Sequence, residues 1–201
     1  MSYFTGSGNS ICEIRWHGRG GQGAISSAQM LAEAAYGRRF QGVTASPSFG
    51  AERRGVPVTA STRLSSEPVR IFSQVEYPDV VIVLDETLLV TANALSGLNS
   101  GGLIIVNSPK KPEQLELPHD YSIATADASK AAKQAGLVVS GFAMVNTAML
   151  GAFARATEII SIDSLERVLS KRFSSGAREL NYKAACLTYE MTQLLRSNSG
   201  N

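Results

Sequence analysis

Short apolar runs recur along the chain and predict the strands of a buried sheet. The clearest are VVIVLD, LIIVN and YSIATA, at residues 80–85, 103–107 and 121–126, which carry almost no charge. Continuous runs of this kind are typical of parallel strands that are covered on both faces. Residues 12–16 (CEIRW) predict another strand, placed directly before a glycine-rich stretch.

Between these runs, apolar residues repeat every three to four positions, as they do on one face of a helix. After the first strand, residues 24–37 show this repeat, and Gly37 can end the helix. Asp127 can cap a later helix, which Gly136 stops. The alternation of strands with helices predicts an α/β domain with a mostly parallel sheet covered by helices.

Other segments are predicted from residues that favour turns and from residues that cap helices. Residues 40–55 are rich in Gly, Pro, Ser and charge and predict a long irregular loop, whereas 56–63 and 69–72 predict a β-hairpin. Asp163 and Glu166 have the spacing of a capping box. Further helices are predicted over residues 86–98, 128–135, 142–156, 164–173 and 181–196, the last two forming a C-terminal helical extension.

Residues 137–154 approach the length of a membrane span without a charge. Polar residues interrupt the stretch, Gly141 and Gly151 weaken it, and Arg155 follows at once. We therefore expect a buried strand that runs into a buried helix, and no membrane segment. One domain over 12–196 is expected, with a flexible leader at 1–11 and a disordered tail at 197–201.

Composition narrows the class of protein. Charged residues make up 18% of the chain and the net charge is +2, so nothing points to nucleic acid or to a membrane surface. Cys12 and Cys186 are far apart and cannot form the four-ligand cluster of a zinc or iron–sulfur site. Free thiols and a polar start without a targeting pattern indicate a cytoplasmic protein.

The stretch HGRGGQG, residues 17–23, contains the spacing GxGxxG between a strand and a helix. Glycines let the backbone approach a ligand closely, and the start of the following helix presents unpaired N–H groups to an anion. Arg19 adds a forked cation suited to phosphate, and Gln22 adds a neutral donor and acceptor. Anion binding is one interpretation, and a tight turn without a ligand is the other.

A dinucleotide site would also need an acidic residue about twenty positions further on, to hold the ribose. Here that region reads RFQGVTASPS and has no carboxylate, and the GK[ST] of a phosphate-binding Walker loop is absent. A stand-alone NAD-binding or similar nucleotide-binding protein is therefore kept as the alternative function, with less support.

A second candidate is PSFGAERRG, residues 47–55, where Glu52, Arg53 and Arg54 follow Phe49. Such a run is usually a solvated loop tip. It can also be an interface, since arginine and aromatic side chains often carry contact energy.

Single polar residues give weaker signals. His17 is expected to make a structural hydrogen bond and His119 to be solvated. Asp85 ends a strand where α/β sites gather, or caps the next helix. Asn146 and Thr147 lie in an apolar helix and need partners if buried, which makes a polar contact at a subunit surface plausible. The histidines are too few for a histidine-rich metal site, and no catalytic triad can be assembled.

Taken in order, WHGRGGQG, PSFGAERRGVPV, PDVVIVLDETLL, GGLIIVNS and VNTAMLGAFARAT resemble the gamma subunit, or fused gamma domain, of 2-oxoacid:ferredoxin oxidoreductases. The resemblance runs from about residue 12 to residue 190 and implies a Rossmann-like α/β fold. It also implies a complex that oxidatively decarboxylates a 2-oxoacid such as pyruvate to an acyl-CoA and passes electrons to ferredoxin.

The resemblance further implies that this chain does not catalyse alone. Thiamine diphosphate with Mg²⁺ and the iron–sulfur clusters are expected in alpha, beta and delta-type partner subunits. The glycine loop is expected to help hold coenzyme A (CoA) phosphates through Gly18, Arg19, Gly20, Gly21, Gln22 and Gly23. Residues at the interface or near CoA are expected to be Ser46, Phe49, Glu52, Arg53, Arg54 and Asn146.

Overall fold

A computed structural model describes residues 11–37, 39–47 and 53–197 of the chain. Its main sheet has seven strands in the order β2-β3-β1-β4-β5-β6-β9. The strands are β1 Cys12–Arg19, β2 Gly42–Pro47, β3 Pro57–Ser65, β4 Val80–Val83, β5 Leu103–Asn107, β6 Ser122–Ala126 and β9 Gln193–Leu195.

The centre of the sheet is parallel and its flanks are antiparallel. Strands β1, β4, β5 and β6 run parallel to one another, while β3 pairs antiparallel with both β1 and β2, and β9 pairs antiparallel with β6. The β1–β3 ladder covers the whole of β1, from Cys12 opposite Leu64 to Arg19 opposite Pro57. The predicted α/β class is confirmed.

The helices among the described residues are α1 Ala24–Ala35, α2 Leu88–Thr91, α3 Ala128–Ala135, α4 Val145–Thr157, α5 Ile162–Arg172 and α6 Ser175–Met191. A 3₁₀ turn spans Pro112–Gln114, and a separate two-stranded hairpin consists of β7 Val138–Val139 and β8 Phe142–Ala143. None of these helices is long and apolar enough to cross a membrane.

Alternate residues of the central strands enter two different cores. Ile82 and Ile105 belong to the larger core, which includes buried residues of α1, α3, α4, α5 and α6, whereas Val83 and Ile104 belong to a smaller core with Leu88. All four of these strand residues are fully buried. The apolar runs thus correctly predicted strands that are covered on both faces.

Two predictions around the sheet edge are wrong. Residues 42–47 are not part of a loop, because they form edge strand β2 against β3. Residues 69–72 do not form a hairpin with the 56–63 segment, although that segment is a strand. The buried guanidinium of Arg63 instead holds the 71–74 segment by donating to the carbonyls of Ile71, Ser73 and Gln74.

Several helix boundaries also differ from the predictions. The 86–98 helix is reduced to four residues, since Asn93 has φ 44° and Gly97 has φ 74°. The cap of α5 is Ser161 with Ser164, not Asp163 with Glu166. The last helix begins at Ser175 and ends at Met191, so that residues 193–195 are free to join the sheet as β9.

The 137–154 stretch contains an exposed hairpin in place of the predicted buried strand. Val138 and Val139 are 45% and 56% exposed, and the following helix α4 begins at Val145 and not at Phe142. The predicted cap at Asp127 is confirmed, since its carboxylate accepts from the Lys130 amide at 2.8 Å. The predicted leader and tail lie almost entirely outside the described residues.

Candidate functional site

The two glycine-rich motifs, far apart in the sequence, are in direct contact. Gly20 forms a bridge with Arg54, donating from its amide to the Val56 carbonyl at 2.8 Å. Its own carbonyl accepts from the Gly55 amide at 3.1 Å. A Cβ on Gly20 would lie 2.2 Å from the Arg53 carbonyl oxygen, so this close approach requires glycine.

The glycine-rich stretch 18–23 begins in the last two residues of β1 and continues as the loop 20–23 before α1, and hydrogen bonds within the stretch hold its shape. The Gln22 side chain accepts from the Arg19 amide at 2.7 Å, and the Gln22 amide donates back to the Arg19 carbonyl at 2.8 Å. Gly23 caps α1 with φ 78°, and a Cβ there would lie 2.8 Å from the Asn146 amide nitrogen. Among the described residues, no side chain caps the first turn of α1 by a hydrogen bond.

Arg19 is tied to the protein by all three of its guanidinium nitrogens. Nε donates to the Asp85 carboxylate at 2.8 Å, one terminal nitrogen donates to the Gly55 carbonyl at 3.1 Å, and the other donates to the Thr87 hydroxyl at 2.7 Å. Partial burial would raise the pKa of Asp85, but hydrogen bonds from Thr87 and Arg19 outweigh it and lower that pKa. Through these three hydrogen bonds, Arg19 holds the loop that follows it in place.

A cleft of about 730 Å³ opens beside the loop at the carboxyl ends of β1 and β5. This edge of parallel strands is where α/β proteins usually bind ligands. Asn107 at the end of β5, Ser129 and Lys133 on α3, and the β7–β8 hairpin complete its walls. No aspartate or glutamate is found among the described residues that line it.

Two cations of the cleft have no carboxylate partner in the part of the chain that the structure describes. The Arg54 guanidinium lies 5.3 Å from the centre of the Phe142 ring, and no ion pair is made by Arg54 or Lys133. Two cations without a counter-ion among the described residues, beside the backbone of Gly20, Gly21 and Gln22, favour an anionic ligand in this cleft.

The other site residues predicted from the sequence lie at different positions in the fold. Ser46 is buried within β2 opposite Ser61 and does not line the cleft, while Arg53 is exposed beside it. Asn146 is 9% exposed and packs against Gly23, joining the starts of α4 and α1. Phe49 and Glu52 lie outside the described residues.

His17 and Thr147 are both buried. The predicted structural role of His17 is confirmed, since its Nε2 accepts from Arg15 Nε at 3.0 Å; burial and then the Arg15 charge lower its pKa to about 4. Thr147 is fully buried within this chain, so the predicted contact at a subunit surface is wrong for its side chain. Its hydroxyl lacks a hydrogen-bond partner among the described residues. His119 is exposed, as predicted.

The cleft residues that were not predicted include Asn107, Ser129, Lys133 and Phe142. Asn107 could have been found by the rule that pointed to Asp85, because it also ends a buried parallel strand. Lys133 and Phe142 come into the cleft through α3 and the β7–β8 hairpin, whose positions the sequence pattern does not define.

The order of the strands in the sheet differs from that of a dinucleotide-binding motif. In that motif the strand after the first helix lies beside the first strand and carries the acidic residue that binds the ribose. Here β3 lies beside β1, and β2, the strand that follows α1, is displaced to the edge of the sheet. The place of the ribose-binding acid is therefore taken by an antiparallel strand.

The fold and site define an α/β domain with a basic cleft at the carboxyl edge of its parallel strands. Residues 13–191 match the family described as pyruvate ferredoxin/flavodoxin oxidoreductase. The chain belongs to this family, as a gamma-type member.

Individual relatives agree with this assignment. The common gamma subunit of the pyruvate/ketoisovalerate oxidoreductases of Pyrococcus abyssi is 45% identical over 189 residues, covering 92% of this chain and 98% of the relative. Pyruvate synthase subunit PorC of Methanosarcina barkeri is 46% identical over 159 residues, covering 78% and 84%. The crystal structure of pyruvate oxidoreductase subunit PORC from Thermotoga maritima superimposes with a TM-score of 0.75 at 38% identity, covering 92% and 98%.

Proposed function

We propose that this chain binds the phosphate-bearing end of CoA in the basic cleft and presents the cofactor to catalytic partner subunits. The complex would oxidatively decarboxylate a 2-oxoacid, form an acyl-CoA and pass electrons to ferredoxin. Support comes from the relatives, which are gamma or PorC subunits of pyruvate and ketoisovalerate oxidoreductases. The observation that carries the proposal is a cleft that, in the described part of the chain, has two cations without an ion pair and no lining acid.

The cleft fits the chemistry of CoA, which carries a diphosphate and a 3′-phosphate. Arg54 and Lys133 supply charge, Gly20, Gly21 and Gln22 let the backbone approach the ligand closely, and Ser129 and Asn107 supply neutral hydrogen-bonding groups. A volume of about 730 Å³ lies within the range of ordinary cofactor sites. Arg19 as a direct phosphate ligand stays a prediction, because its described contacts hold the loop.

We assign the redox chemistry to the partners. Among the described residues no group of three or more histidine, cysteine, aspartate or glutamate side chains could hold a metal ion. Thiamine diphosphate, Mg²⁺ and iron–sulfur clusters would belong to alpha, beta and delta-type subunits. In this arrangement the exposed residues Arg53 and Arg54 would face those subunits, and Arg54 also lines the cleft.

Lys133→Ala in the assembled complex tests the cleft. Loss of one charge-assisted contact, about 1.5–3 kcal/mol, should raise the KM for CoA by about 10- to 150-fold. Decarboxylation of the 2-oxoacid before acyl transfer should be unaffected. Lys130→Ala is the matched control, because Lys130 is exposed on the same helix and does not line the cleft.

An unchanged KM for CoA in Lys133→Ala and in the Lys133→Ala/Arg54→Ala double variant would remove CoA from this cleft. Full CoA-dependent activity from a complex that lacks this chain would refute the proposed function as a whole.

A further inference from the structure

The β7–β8 hairpin presents apolar side chains at the mouth of the cleft. The chain turns at Ser140 and Gly141, with φ of 50° and 81°. Phe142 is 64% exposed and Val139 is 56% exposed, and both line the cleft. An exposed aromatic ring facing a ligand site is costly in water unless something covers it.

Arg54 lies over this ring. Its guanidinium carbon is 5.3 Å from the centre of the Phe142 ring, within the range of a cation–π contact. A planar ring, a planar cation and Val139, which pairs with Phe142 across the hairpin, therefore line the cleft. Aromatic rings and arginine planes are the groups on which proteins stack nucleobases.

We propose that Phe142, with Arg54, forms a stacking platform for the adenine base of the ligand. This inference rests on the proposed function, since it places the base of the same CoA molecule. The thiol end of CoA must leave the cleft to meet the acyl group on a partner subunit, so the adenine end is the one that this chain can hold throughout. The platform thus anchors the base, and Lys133 and the loop bind the phosphates.

Variants at position 142 of the assembled complex test the platform. Phe142→Ala should raise the KM for CoA by about 5- to 150-fold, the range for loss of one base–aromatic stack. The kcat at saturating CoA should be unchanged, and Phe142→Trp should restore the KM because it keeps a flat ring. Val138→Ala is the matched control, since Val138 is exposed on the same hairpin but does not line the cleft.

Phe142→Trp also gives a direct binding signal. The natural chain has a single tryptophan, Trp16, which is fully buried in the core. Titration of the variant complex with adenosine 3′,5′-bisphosphate should quench the new fluorescence relative to the natural complex, whereas 4′-phosphopantetheine should not. Absence of quenching at concentrations that compete with CoA would overturn the platform.

The outcomes separate the two proposals. If Phe142→Ala leaves the KM for CoA unchanged while Lys133→Ala raises it, the platform is wrong and the phosphate site stands. If neither variant changes the KM, and the Lys133→Ala/Arg54→Ala double variant does not change it either, both proposals fall. If Phe142→Ala weakens subunit assembly but the assembled complex keeps its KM, the hairpin is a subunit contact and the platform is again wrong.

Discussion

Gly20→Ala tests whether the contact between the two motifs builds the site. The added methyl group would lie 2.2 Å from the Arg53 carbonyl oxygen and 2.9 Å from the Arg53 carbonyl carbon. Both are backbone atoms, so rotation of a side chain cannot relieve the overlap. The loop or the 53–56 segment must therefore move, and Arg54 moves with that segment.

The magnitude follows from the bonds that such a movement breaks. Gly20 makes two backbone hydrogen bonds to this segment, of 2.8 Å and 3.1 Å. At about 0.5–1.5 kcal/mol each, their loss lowers the free energy of unfolding by about 1–3 kcal/mol. For a domain of this size, that corresponds to a fall in Tm of about 2–12 °C.

Thermal and urea unfolding of the isolated chain would measure the stability, and steady-state kinetics of the assembled complex would measure the KM for CoA. The KM should rise, because the Arg54 guanidinium is displaced from the cleft. Gly176→Ala is the control: position 176 lies in α6 with no atom within 4 Å of an added Cβ. Wild-type Tm and KM in Gly20→Ala would refute the reasoning.

Two further predictions concern buried and half-buried ionic groups. In Asp85→Asn the Arg19 guanidinium loses its counter-ion, so the KM for CoA should rise while kcat is kept. The effects of Asp85→Asn and Arg19→Ala on the free energy of unfolding should be coupled by about 0.2–1 kcal/mol, because the pair is partly exposed. Fully additive effects in this double-mutant cycle would contradict the anchoring role. For His17, the unfolded residue takes up a proton below about pH 6.5, whereas the folded residue stays neutral to about pH 4. Stability should therefore fall by up to about 3 kcal/mol as pH falls through that window. His17→Gln keeps an acceptor for Arg15 and should remove this part of the slope in urea titrations; an unchanged slope would exclude His17 as its source.

The central strands could be predicted because a strand that is buried on both faces consists almost entirely of apolar residues. VVIV and LIIV contain no polar residue, and their alternate side chains enter two cores. The edge of the sheet could not be predicted in the same way. There Arg63 and Arg15 donate to the carbonyls of five residues: Ile71, Ser73, Gln74, Val75 and Glu76. A single arginine in a strand does not indicate which carbonyls it will reach.

Only some residues of the candidate site could be predicted from the sequence. The glycine loop and Arg54 belong to motifs with unusual local composition, and the structure brings them together. Lys133 occurs in an ordinary amphipathic helix, and Phe142 was expected inside a helix. Both enter the cleft because crossovers over the sheet place α3 and the hairpin at the same edge, which is a long-range property of the fold.

The pairing of β1 with β3 also sets the position of the Gly20 loop relative to the segment that precedes β3. Its last pair joins Arg19 to Pro57, and the loop-to-segment contacts at Gly20 begin immediately after it. A slip of one residue would turn Ile14 and Trp16 out of the core and shift the loop by about 3.3 Å along the strand. A chain with misregistered strands would therefore lose core burial and the alignment of the cleft together. Any chain that buries Ile14 and Trp16 in the core thus also has the two motifs aligned.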